Sequence, residues 1–190
     1  FGNDYISRNN DKNFLKSNIN FFKKLKKYLK NSKSVFEVGC NIGLNLEAIN
    51  FILPNIKLSG VDINKRSIDI LNKKKISKNY VGPFKDFKIK KKFDFVFTKG
   101  VLIHIDPLDL EKFYKKIYNY SNKYILLVEY FNPTPVKIPY RKHKNKLFKR
   151  DFAGDMLDMF ELDLIDYGFL YSKDKKAPQD DLSWFLLKKK

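Results

Sequence analysis

Ser34-Val35-Phe36-Glu37-Val38-Gly39-Cys40-Asn41-Ile42-Gly43 passes from a short apolar strand directly into a turn punctuated by two glycines. Gly39 lets the chain turn tightly and leaves room for a ligand against the backbone. Gly43 lets the following helix settle close to the strand. That helix reads from Leu44 to Leu53 and is ended by Pro54. Ile56 to Ile63 is a second strand, and Asp62 lies at its end, where a carboxylate can accept hydrogen bonds from both hydroxyls of a ribose. A dinucleotide site would show Gly-x-Gly-x-x-Gly, with a pyrophosphate on the helix N-terminus. That spacing is absent, and an acid, Glu37, precedes the glycines instead.

Outward from this segment the strand–helix alternation continues. Upstream, residues 11–30 place Phe14, Leu15, Ile19, Phe22, Leu25 and Leu29 at helical spacing with lysines between them, predicting one amphipathic leading helix. Downstream, Lys65 to Lys74 reads as a helix, Asn79 to Val81 as a weak third strand closed by Gly82-Pro83, and Phe93 to Thr98 as a strongly apolar fourth. A helix follows from about Leu108 to Tyr120, opened by Asp106-Pro107, and Tyr124 to Glu129 is a fifth strand. Phe131 to Phe148, with Pro133, Pro135 and Pro139, is expected to be a long irregular loop on the ligand side of the sheet. Lys149 to Phe160 is expected to contain a helix, and Leu162–Tyr171 and Asp181–Leu187 to form two closing antiparallel strands. The pattern predicts an α/β fold: a doubly wound sheet of seven strands, mostly parallel with the last antiparallel, and helices on both faces. We expect residues 1–190 to form a single domain, with 1–30 as an N-terminal helical segment and 131–149 as a substrate-side loop.

Composition narrows the function classes. The chain has 190 residues, 43% hydrophobic and 16% aromatic, enough for a sizeable core and unlike a disordered tail or a fibrous repeat. A single cysteine, Cys40, excludes a disulfide framework and a multi-cysteine zinc site, and no metal-ligand spacing appears. Cys40 lacks an activating neighbour in sequence and reads as a small loop residue. No apolar run approaches the roughly 18 residues of a membrane span, no signal-peptide pattern is visible, and the expected location is the cytoplasm. Lys plus Arg number 39 against 21 Asp plus Glu, a net +18. Such a field draws phosphates, carboxylates or nucleic acid. Only Arg8, Arg66, Arg141 and Arg150 are arginines, however, and the excess of lysine, Asn, Ile and Phe reads as compositional drift with solvated faces. Where lysine is the default cation, an arginine suggests bidentate carboxylate or phosphate binding.

Glu37-Val-Gly39-Cys-Asn41-Ile-Gly43 together with Asp62 resembles the class I S-adenosylmethionine-dependent methyltransferases. The resemblance implies a Rossmann-like fold and S-adenosyl-L-methionine as cofactor, with S-adenosyl-L-homocysteine as product. It implies that Gly39, Cys40 and Gly43 border the methionine part, that Asp62 holds the ribose with Ile63 beside the adenine, and that Gly82-Pro83-Phe84 flank the adenine. Thr98-Lys99-Gly100 would run under the sulfonium region. Arg8, in Tyr5-Ile-Ser-Arg8-Asn9, either reaches the cofactor carboxylate or belongs to an unstructured N-terminus. A closer resemblance rests on Glu37 to Glu47, Phe97 to Pro107, Glu129 to Val136 with Pro139 to Gly154, and Tyr167-Gly168 with Pro178 to Asp181 and Trp184. These segments are similar to the pseudaminic acid biosynthesis-associated methylases, which implies a place in surface-polysaccharide biosynthesis.

Methyl transfer is an in-line displacement in which the protein aligns the acceptor and, for a hydroxyl, takes its proton. Enzymes that methylate bases or amides often carry an Asn/Asp-Pro-Pro-aromatic run after the fourth strand. Thr98 to His104 stands there instead, which points away from an exocyclic-amine acceptor. His104 is a candidate base, or else a histidine packed on the following helix. His143 is a candidate base and substrate contact, or else part of a surface loop. Tyr130, Asn132, Tyr140, Arg141, His143, Lys149 and Arg150 gather hydrogen-bonding aromatics and two arginines, suited to a small acidic acceptor such as an activated sugar or another phospho-compound. Arg150 could equally pair with Asp151 or Asp155. A nucleic-acid methyltransferase and a non-catalytic cofactor-binding subunit are the alternatives, and nucleic acid is not the expected partner.

Overall fold

The computed structural model describes residues 12–140 and 143–190. Nine strands and six helices take the order α1 (Lys12–Lys24), α2 (Lys26–Lys30), β1 (Ser34–Val38), α3 (Leu44–Ile52), β2 (Lys57–Asp62), α4 (Lys65–Lys73), β3 (Lys78–Val81), β4 (Phe93–Lys99), α5 (Pro107–Tyr120), β5 (Ser121–Glu129), β6 (Val136–Tyr140), β7 (His143–Lys149), α6 (Phe152–Met159), β8 (Leu162–Leu170) and β9 (Leu182–Lys189) among the described residues. A 3-10 turn, Leu102–His104, lies between β4 and α5.

The main sheet has seven strands in the order β3-β2-β1-β4-β5-β9-β8. The first five pair in parallel, and β9 runs antiparallel to both β5 and β8, as expected from sequence. The order reverses between β1 and β4, so a crevice opens at the carboxyl ends of those strands. One core cluster packs α1 to α4 on one face, around Phe22, Leu46, Phe97 and Leu126. The other packs α5 and α6 on the opposite face, around Phe36, Val96, Phe113 and Met156. Helix starts are set by local caps. Asn64 accepts from Ser67 N, Asp106 from Leu108 N with Pro107 next, and Asp151 from Gly154 N.

Three expectations are corrected. The single helix predicted over 11–30 breaks at Leu25 into α1 and α2; Leu25 has φ −93° and ψ 4°, outside helical geometry. The fifth strand begins at Ser121, three residues earlier than the apolar run suggests. The largest correction concerns Phe131 to Phe148, which is not an irregular loop: it contains the antiparallel hairpin β6–β7, outside the main sheet. Its three prolines masked it, because proline lacks the N–H a ladder needs. Pro139 is accommodated where the register shifts between Ile138 and Tyr140. Ile138 and Leu147 give the hairpin an apolar side that packs on the α5–α6 core. Among the described residues no helix is long and apolar enough to cross a membrane, and no cluster of His, Cys, Asp or Glu could hold a metal ion.

Candidate functional site

At the carboxyl end of β1 the chain turns through three left-handed residues, Gly39 (φ 73°), Asn41 (φ 47°) and Gly43 (φ 78°). The turn is pinned to β2, since Gly39 N and Cys40 N both donate to Val61 O, at 2.8 and 3.1 Å. A Cβ on Gly39 would lie 2.5 Å from Val101 Cγ2, and one on Gly43 would meet Leu71. These positions therefore need glycine for space as well as for φ.

Asp62 closes the neighbouring strand. Its Oδ2 accepts from Asn41 N at 2.8 Å and its Oδ1 from Asn64 N at 2.8 Å. Asn41 Oδ1 in turn accepts from Ser67 Oγ at 2.9 Å. The carboxylate is thus fixed between two loops, with lone pairs left toward a cleft of about 600 Å³. That cleft follows the ends of β1, β2 and β4. Its lining includes Ile63, just after β2, Gly82 and Phe84, just after β3, Tyr130, just after β5, and Leu147 on β7. The turn bearing Phe84 is held by Lys116, whose Nζ donates to the carbonyls of Phe84, Lys85 and Phe87 at 2.7, 2.6 and 2.6 Å.

The cleft floor is charged. Glu37 is 1% exposed, and its Oε1 accepts from Asn45 Nδ2 at 2.6 Å. Burial pushes its carboxyl up to about 8, against the pull of Asn45 and Lys99. Lys99 Nζ donates to Asn18 Oδ1 at 2.8 Å and Gln179 Oε1 at 2.7 Å, and Gln179 Nε2 donates to Asn18 Oδ1 at 2.9 Å. Part of the Lys99 side chain faces the cleft, yet its ammonium is enclosed enough that desolvation pulls it down to about 8, with Glu37 and Asp180 resisting. Burial, then Glu37 and Asp62, push the Cys40 thiol up, which keeps it protonated and poorly nucleophilic.

Behind the floor, Glu129 is 3% exposed and accepts from Val101 N at 3.1 Å, with the Leu102 and Ile103 amides also directed at it. Burial pushes Glu129 up to about 7 against these hydrogen bonds. The carboxylate so anchors the turn that carries Val101, Ile103 and His104 to the cleft wall.

Glu37, Gly39, Cys40, Asn41, Asp62, Ile63, Gly82, Phe84, Lys99 and Gly100 all border the cleft, as do His104 and Tyr130. Others named from sequence lie elsewhere. Gly43 caps α3 against Leu71, Thr98 is buried in β4, and Pro83 faces solvent beside the cleft wall. Asn132 closes its own turn by donating to Thr134 O. The Lys149 ammonium lies over the Tyr130 ring, 4.9 Å from its centre. Arg150 grips Asp155 through Nε at 2.7 Å and Nη2 at 2.8 Å, and Tyr114 OH donates to the same carboxylate at 2.7 Å. Arg8 and Arg141, and the side chains of Tyr140 and His143, lie outside the described residues.

Sequence reasoning missed Asn18, Asn45, Gln179 and Glu129. Asn18 left one signal, as a polar residue amid the apolar positions of a helix. Gln179 left another, in the Pro178-Gln-Asp-Asp181 segment that carried the closer resemblance.

A family described as a methyltransferase domain matches residues 7–163. No curated protein gives a significant match. Among solved structures, the chain is similar to a S-adenosylmethionine-dependent methyltransferase from Clostridium acetobutylicum ATCC 824, at 13% identity and TM-score 0.67, covering 98% of this chain and 95% of that one. It is similar to magnesium protoporphyrin IX methyltransferase from Synechocystis PCC 6803 with bound S-adenosylhomocysteine, at 11% identity and TM-score 0.70, covering 94% and 86%. The O-methyltransferase from a trans-AT PKS multienzyme of Brevibacillus brevis, in complex with S-adenosyl-L-homocysteine, matches at 16% identity and TM-score 0.66, covering 87% and 71%. At these identities the likeness is one of fold.

Proposed function

Because the chain belongs to the methyltransferase-domain family, we propose that it transfers a methyl group from S-adenosylmethionine to an oxygen of a small acidic acceptor. The observation that carries the reading is Asp62, a carboxylate locked by Asn41 N and Asn64 N at the edge of a cleft. Two acceptors on one rigid group suit the paired hydroxyls of a ribose. The rest of the cleft fits as well. Ile63, Gly82 and Phe84 offer an apolar slot for a base, and the Gly39 turn offers close backbone approach. The floor holds buried acceptors, Glu37 Oε2 and Asn45 Oδ1, with no hydrogen-bond partner among the described residues.

When bound, S-adenosylmethionine supplies a methyl group already activated on a sulfonium. The residues of the chain hold and align. Asp62 orients the nucleoside and the Val101–Ile103 turn walls off water. His104 takes the proton of an acceptor hydroxyl. The β6–β7 hairpin, which brings Leu147 to the cleft, forms the acceptor side. We assign recognition of the acceptor's negative charge to Arg141 and His143, and assign Tyr130 and Tyr140 to its hydroxyl groups. Arg150 is held by Asp155 and supports α6. The sequence resemblance to the pseudaminic acid-associated methylases supports a sugar acceptor of the surface-polysaccharide class.

Calorimetric titration with S-adenosylhomocysteine tests the reading. Wild type should bind with micromolar affinity, and Asp62→Ala should weaken binding at least about tenfold, the loss of a charge-assisted hydrogen bond. Absence of binding by folded wild-type protein would overturn it. A panel of nucleotide sugars added to the loaded protein then tests the acceptor class, with Arg141→Ala expected to lower turnover and spare cofactor affinity.

A further inference from the structure

The molecule sorts its charges along the axis of the strands. At the carboxyl ends, the cleft carries Glu37, Asp62 and Asp180, and Asp106 caps the nearby α5. At the opposite end the sheet closes on lysine. Lys33 precedes β1, Lys57 opens β2, Lys92 precedes β4, Lys123 lies near the start of β5, and Lys188 and Lys189 end β9. The ladder sets them side by side: Ser34 stands opposite Lys57, Phe93 opposite Ser121, and Tyr124 opposite Lys188. Burial, and then the charge of Lys92, pull Lys189 down, so these two ammoniums are neighbours. The acids at this end are Asp94, Glu161 and Asp163. Asp94 accepts from Lys33 N at 2.6 Å, and Asp163 pairs with Lys190 at 3.5 Å. Compositional drift adds lysines to every face; it does not separate acids from bases along one axis.

Within this basic pole lies an apolar recess of about 470 Å³, where α2, the end of α3 and the start of β2 meet. Leu29, Leu53, Pro54 and Ile56 line it, together with the exposed Lys30, Lys33 and Lys57. None of these three lysines pairs with a carboxylate among the described residues. Phe51, in the last turn of α3, is 69% exposed, and Pro54 is exposed as well. Unpaired lysines around exposed apolar side chains suit a lipid surface: headgroup phosphates meet the charge, and the apolar groups enter the interface. Single-stranded nucleic acid would want exposed rings on which to stack its bases. The rings under Lys91 and Lys123 are Phe93 and Tyr124, and both are buried.

We propose that this pole docks on an anionic phospholipid bilayer, with Lys30, Lys33 and Lys57 on lipid phosphates and Phe51 at the level of the headgroups. The cleft, at the carboxyl ends of the strands, then opens away from the membrane. The inference stands apart from the choice of methyl acceptor, because none of its residues borders the cleft.

The experiment is co-sedimentation of the full chain with vesicles of phosphatidylcholine, alone or mixed with phosphatidylglycerol. It is run at about 150 mM salt, where attraction beyond roughly 8 Å is screened. Wild type should bind the mixed vesicles and leave the neutral ones. The triple variant Lys30→Gln, Lys33→Gln, Lys57→Gln should bind about 30- to 100-fold more weakly, since each lysine at an anionic surface is worth roughly fivefold. Phe51→Ser should weaken binding about 3- to 10-fold through the lost apolar contact. A second triple variant, Lys65→Gln, Lys112→Gln, Lys175→Gln, makes the same change of charge toward the cleft end and should stay within about twofold of wild type. All of the substituted side chains are exposed, so the fold does not depend on them. Equal losses in the two triple variants would overturn the proposal, reducing the attraction to net charge. Failure of wild type to bind the mixed vesicles would overturn it as well. If the three pole lysines then govern binding of single-stranded RNA under the same conditions, the pole belongs to nucleic acid instead.

Discussion

Glu37 and Lys99 are pushed toward their neutral forms by the same burial, and the consequence for stability has a definite sign. The carboxyl of Glu37 stands near 4.5 when exposed and about 8 in the fold. Between those values the unfolded chain has released the proton and the folded chain keeps it. The folded state then binds more protons, so stability falls as pH rises through that window. Replacing Glu37 by Gln removes this penalty and keeps an oxygen to accept from Asn45. Thermal melts of the ligand-free protein should therefore give Glu37→Gln a midpoint close to wild type at pH 5 and about 2–4 °C higher at pH 8 for each kcal/mol relieved. A variant destabilised equally at both values would contradict the account. The places of Glu37 and Asp62 at the cleft were legible in sequence because they follow from spacing to Gly39 and Gly43. Asn18 and Gln179 were not, because nothing in a linear pattern announces that residues 18, 99 and 179 meet at one ammonium.

At the scale of elements, two brackets shape the cleft. Glu129 at the end of β5 gathers the amides of the Val101–Ile103 turn, and Lys116 on α5 gathers three carbonyls of the turn after β3. Each is a charged side chain standing in for the hydrogen bonds that irregular backbone cannot make with itself. Lys116→Met should free the Phe84 turn and lower affinity about 3- to 10-fold. The loss should be equal for S-adenosylhomocysteine and 5′-methylthioadenosine, which carries the same nucleoside without the amino-acid tail, because the base slot we propose is bounded by Phe84. A loss confined to the tail-bearing ligand would refute this placement. Most elements were readable from hydrophobic period and caps: β1, β2 and β4 as apolar runs, α5 from Asp106-Pro107. The β6–β7 hairpin was not. Proline outweighed the alternation of Val136 and Ile138, and a hairpin off the main sheet draws its stability from packing on the α5–α6 core rather than from its own sequence.

On the whole molecule the charge of +18 contrasts with the cleft, whose walls and floor bring in Glu37, Asp62 and Asp180 against Lys99. The basic field belongs to the outer surface. It should capture RNA or DNA weakly at low ionic strength and release it steeply as salt rises, with affinity falling by orders of magnitude between about 50 and 200 mM. Filter binding across that range checks this, and tight binding that persists at 200 mM would return nucleic acid to the list of acceptors. The doubly wound plan was legible because strands and helices alternate from residue 34 to 129. The lateral order of the last strands was not, because an antiparallel pair can add to a sheet edge in either sense.

That order gives the site a schedule. β9, which follows β8 in the chain, inserts between β5 and β8, and Gln179 arrives just ahead of it. A nascent chain that has left the ribosome only as far as residue 170 already holds Gly39, Asp62 and Asn18, yet it lacks Gln179, the second amide that holds Lys99. The edge of β5 also stands open, an invitation to aggregation. Lys99 therefore gains the Gln179 half of its amide pair only after β8 has been made.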